Sequence, residues 1–170
     1  TYGGKLLIDA TDKSLSNEKD KIEHVKMSNL KYQKNNLVII GTDNKKESFI
    51  KQAKAYLDNN VIEIIKMLVV IDNFVHFETP YLYAWYVLNN IDPSRDCLVY
   101  NDCLIIDAGI KTNEKDSFVR RWPNIVTMDD KTIKDINEKW SKIFNFELIE
   151  SPSSSISQNI RGSSEIFEID

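Results

Sequence analysis

The residues of this chain best placed for chemistry are aspartates that close apolar runs. Asp72 ends Val69-Val70-Ile71, and Asp107 ends Leu104-Ile105-Ile106 and is followed four positions later by Lys111. In α/β folds, polar ligands are held outside the carboxyl ends of the strands, where a carboxylate can serve as acid, base or hydrogen-bond acceptor. Asp72 is therefore the leading candidate for a polar site. The competing architectural reading, which we prefer, is that its carboxylate accepts turn amides or receives Arg95, since Asp is common at strand-to-loop exits. Asp107 has an echo: Leu6-Leu7-Ile8-Asp9-Ala10-Thr11-Asp12-Lys13 resembles Leu104-Ile105-Ile106-Asp107-Ala108-Gly109-Ile110-Lys111. A residue present in both copies more naturally fixes a turn than performs one reaction twice. A repeat of about a hundred residues makes the first copy the tail of an earlier unit, and the chain then reads as a fragment.

Other reactive side chains have weaker settings. Gly3-Gly4-Lys5 precedes a strand, whereas a phosphate loop follows one and opens a helix. His24 lies in a charged stretch and His76 between aromatics, neither with Cys, His or carboxylate at metal-ligand spacing. Ser153-Ser154-Ser155 lacks a glycine elbow and a nearby His. Cys97 and Cys103 flank an expected strand and turn, and we read them as reduced thiols. Arg120-Arg121 before Trp122 could grip an anion through paired guanidinium groups. An interface or ion-pair role for Arg121 and Trp122 is preferred, because Arg and Trp are common anchors of protein contacts.

These groups need a scaffold, and the chain has the material for one. It has 170 residues, 42% of them hydrophobic, with a formal charge of -4. The acidic balance and interspersed lysines exclude a nucleic-acid stripe, and no apolar run approaches the roughly 20 residues of a membrane span. A cytoplasmic location is expected, as no signal-peptide pattern opens the sequence. Lys5 to Asp9 reads as a strand, and a weaker one lies around Ile22 to Met27. Leu37 to Ile40 is a buried strand ending at Gly41. Asn44 and Glu47 have the spacing of a capping box, with Ile50, Ala53 and Leu57 recurring along the helix that follows. A β-rich run from Ile62 reaches Asp72. Thr79-Pro80 opens a helix in which Tyr81, Trp85 and Leu88 share a face, and Asn89-Asn90 with Asp92-Pro93 ends it. Leu98 to Tyr100 and Leu104 to Ile106 form a hairpin about Asn101-Asp102-Cys103. Trp122-Pro123 is an extended crossing, and Asp129 or Asp130 caps a helix carrying Ile133, Ile136, Trp140 and Ile143 on one stripe. The Ser-rich stretch from Ser151 to Ser164 reads as a tail, with Ile166 to Ile169 a strand that could add to a sheet or a neighbouring copy. Alternating strands and helices predict an α/β layered sheet with flanking helices, mixed parallel and antiparallel, with one antiparallel edge. The domain expectation is the end of a preceding related unit over 1–30, an α/β domain over 31–150, and a Ser-rich tail over 151–170.

Val69-Val70-Ile71-Asp72, Tyr83 to Leu88, Ile91-Asp92-Pro93-Ser94-Arg95-Asp96, Ile106 to Lys111, Arg121-Trp122-Pro123 and Met128-Asp129 occur in one order over about residues 61 to 145. Together they resemble the C-terminal region of UbiD-like carboxy-lyases, and Gly3 to Thr11 resembles the end of the same domain in the longer menaquinone-pathway branch. The resemblance implies a parent flavoenzyme that removes or adds a carboxylate on an aromatic or unsaturated acid, as 3-octaprenyl-4-hydroxybenzoate carboxy-lyase does in quinone biosynthesis. It implies prenylated flavin mononucleotide with a divalent metal (manganese), often with potassium, in an N-terminal domain that also carries the family's Glu-Arg-Glu set. No stretch here matches that set, so the resemblance assigns this chain no catalytic, cofactor or metal residue. Asp72, Trp85, Arg95, Asp107, Arg121 and Trp122 remain as structural or interface candidates. The chain departs from the family pattern at Asn73-Phe74, where a second acid is common, at Asn89-Asn90, where an Arg usually precedes Asp-Pro, and at Gly109, where Thr is usual. The expected role is assembly and cover for the upstream catalytic domain of the same protein, within a homo-oligomer, with the isolated chain inactive. The alternatives are an independent small-ligand α/β domain using the strand ends near Gly41, Asp72 and Asp107, and a purely structural oligomerisation module.

Overall fold

A computed structural model describes residues 29–43, 47–59, 65–148 and 156–160. The strands expected over Lys5 to Asp9 and Ile22 to Met27, and with them the first copy of the repeat, lie outside the described residues. The chain divides into two compact units, Thr1–Val119 and Arg120–Asp170.

Among the described residues, the first unit is an α/β layer built on a five-stranded sheet in the order β1-β2-β3-β5-β4. Its strands are β1 (Leu30–Lys34), β2 (Leu37–Thr42), β3 (Met67–Asp72), β4 (Cys97–Tyr100) and β5 (Cys103–Asp107). The three central strands run parallel, Val38 pairing with Leu68 and Leu68 with Ile105. Both flanking strands are antiparallel. The sequence pattern anticipates one such edge, at β4; β1 is hidden because Leu30-Lys31-Tyr32-Gln33-Lys34 has no apolar run. Each edge is made by a hairpin. At β4–β5, Asn101 (φ 48°) and Asp102 (φ 57°) both take the left-handed conformation a two-residue type I′ turn demands.

Alternation along the strands sets the core. Val38, Leu68, Val70, Cys103 and Ile105 face Phe49 and Ala53 of helix α1 (Phe49–Asn59). Asn44 lies outside the described residues, and α1 opens at Ser48, whose carbonyl accepts the Lys51 and Gln52 amides. Helix α2 (Pro80–Asn90) starts as its sequence signals, with Thr79 Oγ1 accepting the Leu82 amide and Pro80 in the first turn. It buries Leu82, Tyr83, Tyr86 and Val87. The Tyr81 and Leu88 stripe faces outward. Phe77 meets Tyr83 edge-on at 5.3 Å, and the Tyr83 hydroxyl accepts the Phe77 amide. The four-residue helix α3 (Pro93–Asp96) then leads into β4.

In the second unit, α5 (Asp130–Ile143) follows an extended stretch that includes Pro123, while α4 (Asn113–Asp116) belongs to the first unit. Trp140, Phe144 and Phe146 cluster at the end of α5, with the Trp140 indole N–H donating to the Phe146 carbonyl at 3.1 Å. Within the Ser-rich stretch, Ser157–Asn159 forms one 3₁₀ turn with Ile156 and Asn159 buried, which departs from a plain tail. Asp129 caps α5, its carboxylate accepting the Thr132 amide and hydroxyl. Those hydrogen bonds, the amide first, hold the Asp129 carboxyl below its ordinary value. A depressed folded-state value stabilises above the unfolded value, and the gain is lost as pH falls through the folded one. Acidification below the ordinary value of 3.8 should therefore fray the first turn of α5. NMR shifts of Thr132 would follow it, and Asp129→Asn should flatten the titration; a Thr132 signal that ignores pH in the unaltered chain counts against the cap.

Candidate functional site

The carboxyl ends of β2, β3 and β5 lie side by side, and each ends in a polar group: Thr42, Asp72 and Asp107. The Cys97–Ile106 register of the β4–β5 hairpin brings Asp96, the residue before β4, to the same edge. Sequence spacing alone links Asp107 to Lys111, but nothing in it announces Asp96 as their partner.

At the centre is a buried ammonium. Lys111 Nζ reaches back to Asp107 Oδ1 at 2.6 Å, to the Asp107 carbonyl at 2.9 Å and to the Gly109 carbonyl at 2.9 Å. Asp96 Oδ1 lies 3.6 Å away. The Lys111 side chain is only 1% exposed, so its charge is held by these oxygens in place of water. Asp107 also accepts the Gly109 amide, which folds the Asp-Ala-Gly-Ile-Lys segment into a tight loop around its own lysine.

The neighbouring acids are engaged as well. Asp72 Oδ2 accepts the Ile110 amide at 2.8 Å, tying the exit of β5 to the exit of β3. Arg95 forms a bidentate pair with Asp96, Nε to Oδ1 at 2.7 Å and Nη2 to Oδ2 at 2.6 Å. Asp96 also accepts the Asp92 amide. Of the two architectural partners weighed for Asp72, turn amides or Arg95, the Ile110 amide is the one seen here, and Arg95 pairs with Asp96. Its guanidinium, lifted above its ordinary value first by the hydrogen bond to Asp96, also stacks over the Phe118 ring at 5.3 Å. Burial first, then the charges of Asp72 and Asp107, hold the Tyr86 phenol well above its usual value, so it stays neutral beside them.

A second cluster sits at the β2 and β3 exits. Lys31 Nζ donates to the Asn73 carbonyl at 2.6 Å, and Asn73 Nδ2 donates to Asp43 at 2.8 Å. Burial lowers the Lys31 ammonium below its ordinary value, with Asp43 acting against it. A Cβ at Gly41 would stand 2.7 Å from Asn73 Oδ1.

The remaining candidates stand apart from this edge. Trp85 is half-buried on α2, and Arg121 is exposed and Trp122 half-buried in the second unit. Cys97 and Cys103 are free thiols. Pairing Cys97 with Ile106 and Cys103 with Tyr100 puts them on opposite faces of the hairpin, and burial pushes both thiols above their ordinary value. Among the described residues no group of three or more His, Cys, Asp or Glu side chains converges as a metal site. No described helix is long and apolar enough to cross a membrane.

Fold and edge together define an α/β domain whose strand-end acids are joined to backbone amides, a lysine and an arginine. No family model matches the chain. Uncharacterized proteins from two strains of Helicobacter pylori are 29% identical over 153 residues, covering 81% of this chain and 24% of their own length. An uncharacterized protein of Aquifex aeolicus is 28% identical over 109 residues, 55% of this chain and 22% of its own. One from Archaeoglobus fulgidus is 26% identical over 133 residues, 66% of this chain and 27% of its own. The chain thus spans about a quarter of the length of the curated relatives it matches.

Proposed function

We propose that this chain is a C-terminal α/β domain of a UbiD-like aromatic-acid carboxy-lyase, acting in assembly and as cover for the catalytic domain, with no catalytic residue of its own. The observation that carries this reading is the Asp107–Lys111 loop. It is the segment that resembles the family's strand-end motif, apart from Gly109, and its charged groups point at each other instead of presenting an acid, base or nucleophile to a substrate. Alignment with about a quarter of each longer relative supports a domain role. In this proposal prenylated flavin, manganese and potassium belong to the parent's N-terminal domain. The described carboxylates here do not fit them, since Asp96 and Asp107 already surround an ammonium.

The test is a fluorescence titration of the purified chain with flavin mononucleotide, then with the flavin-loaded upstream domain of the parent. We expect no saturable flavin binding and saturable binding of the upstream domain. Tight flavin binding lost on Asp72→Asn would overturn the proposal and favour an independent small-ligand domain working at the strand ends.

A further inference from the structure

We infer that Lys31 is an acylation site, its amine placed at the carboxyl ends of β2 and β3 to take the acyl group of a small acyl phosphate. The inference does not depend on the assembly reading above. It begins with the register of the first hairpin. Leu30 pairs with Ile40 and Tyr32 with Ile39, so Lys31 is the extra residue of a β-bulge. Asn29, two residues earlier, takes the left-handed conformation (φ 70°), and its carbonyl accepts the Gly41 amide at 2.9 Å. Bulges re-aim side chains, and this one turns a lysine of the edge strand inward.

The inward path is long. Neighbouring strands lie about 4.8 Å apart, so passing from β1 over β2 to the exit of β3 takes the full length of a lysine side chain. Lys31 Nζ ends 2.6 Å from the Asn73 carbonyl, the first residue after β3. It crosses at Gly41, where a Cβ would stand 2.7 Å from Lys31 Cε and 2.9 Å from Asn73 Cα. A glycine inside a strand marks a close approach, and here the approaching group is the lysine arm. Bulge, glycine and lysine form one device. A lysine that only solvated the edge of the sheet would need neither of the other two.

The surroundings of the amine suit a nucleophile. Lys31 is half-buried, and burial first lowers its ammonium below the ordinary value, with Asp43 at the β2 exit acting against it. Its acceptor is a neutral carbonyl, to which an uncharged amine also donates. The Asp43 carboxylate accepts from Asn73 Nδ2 at 2.8 Å. In the acylation step the uncharged Nζ attacks the acyl carbon, the bond from that carbon to the phosphate oxygen breaks, and phosphate leaves with the electron pair. The surplus amine proton passes to solvent. The product is an amide: the charge is gone, and the arm that lay against Gly41 carries added bulk, so the tie from β1 to the β3 exit is released.

The experiment treats the full chain with acetyl phosphate and follows acetylation of Lys31 and Lys34 by peptide mass spectrometry, in buffer and in denaturing urea. Lys34 lies on the same strand and is exposed, which makes it the internal reference. We expect Lys31 to react about fivefold or more faster than Lys34 in the folded chain, because the fold favours its uncharged form. The two rates should converge in urea. Gly41→Ala, with its fold confirmed by circular dichroism, should lose the preference as the new methyl displaces the arm. If that variant does not fold, the comparison of buffer with urea on the unaltered chain decides alone. Lys31 reacting no faster than Lys34 in the folded chain, or a preference that persists in urea, would overturn the proposal.

Discussion

Gly109→Thr should destabilise the first unit by about 3 kcal/mol, at or beyond the upper end of what overpacking a core costs. A Cβ built on Gly109 would lie 2.0 Å from Phe49 Cε2 and 2.5 Å from Cδ2. Phe49 is 1% exposed and held between β2, β3 and β5, so its ring has no room to withdraw. The requirement at this position is space. In this chain the Phe49 ring fills the volume a side chain at 109 would take. Phe49→Ala alone should cost about 3–5 kcal/mol through the cavity it leaves. The double variant should be less damaged than the two losses added, because the new side chain enters that cavity, with a coupling of about 1–3 kcal/mol. Urea denaturation of the four proteins measures it. Additive losses, or a Gly109→Thr protein as stable as the unaltered chain, would show that ring and glycine do not share this space.

Lys111→Met should cost about 3–5 kcal/mol, the scale of leaving a buried charge without its partner. The methionine fills most of the volume but leaves Asp107 and Asp96 facing one another at the sheet edge. Adding Asp107→Asn should restore part of the loss, since the amide oxygen still accepts from Gly109 while one orphaned charge disappears. Thermal and urea unfolding of the single and double variants decide it. If Lys111→Met unfolds at the same urea concentration as the unaltered chain, the buried ammonium contributes nothing to this fold.

Much of the scaffold is legible without coordinates because its signals are local. Leu37 to Ile40, Val69 to Asp72 and Leu104 to Asp107 are apolar enough to be buried strands, and Thr79-Pro80 and Asp129 are cap chemistry that tertiary contacts had no reason to override. Strand β1 is not legible, because an edge strand can be polar and takes its conformation from the partner it pairs with. The polar edge is legible only in part. Asp107 and Lys111 share a short segment, whereas Asp96 joins them through hairpin register and Asp72 joins Ile110 across 38 positions. Contacts of that kind leave no periodicity. The Phe49–Gly109 fit is likewise invisible, since neither residue alone marks the other.

The placement of the two hairpins bears on how the sheet is assembled in time. Strands β1 and β2, and again β4 and β5, are joined by short turns, so each pair closes a small loop and can form within microseconds. Strand β3 has no such neighbour in sequence; it must be brought to β2 across α1 and to β5 across α2. On this topology the sheet is expected to form from two quickly made ribbons that wait on a central strand, with the loop-closure entropy of docking Met67–Asp72 setting the pace of folding.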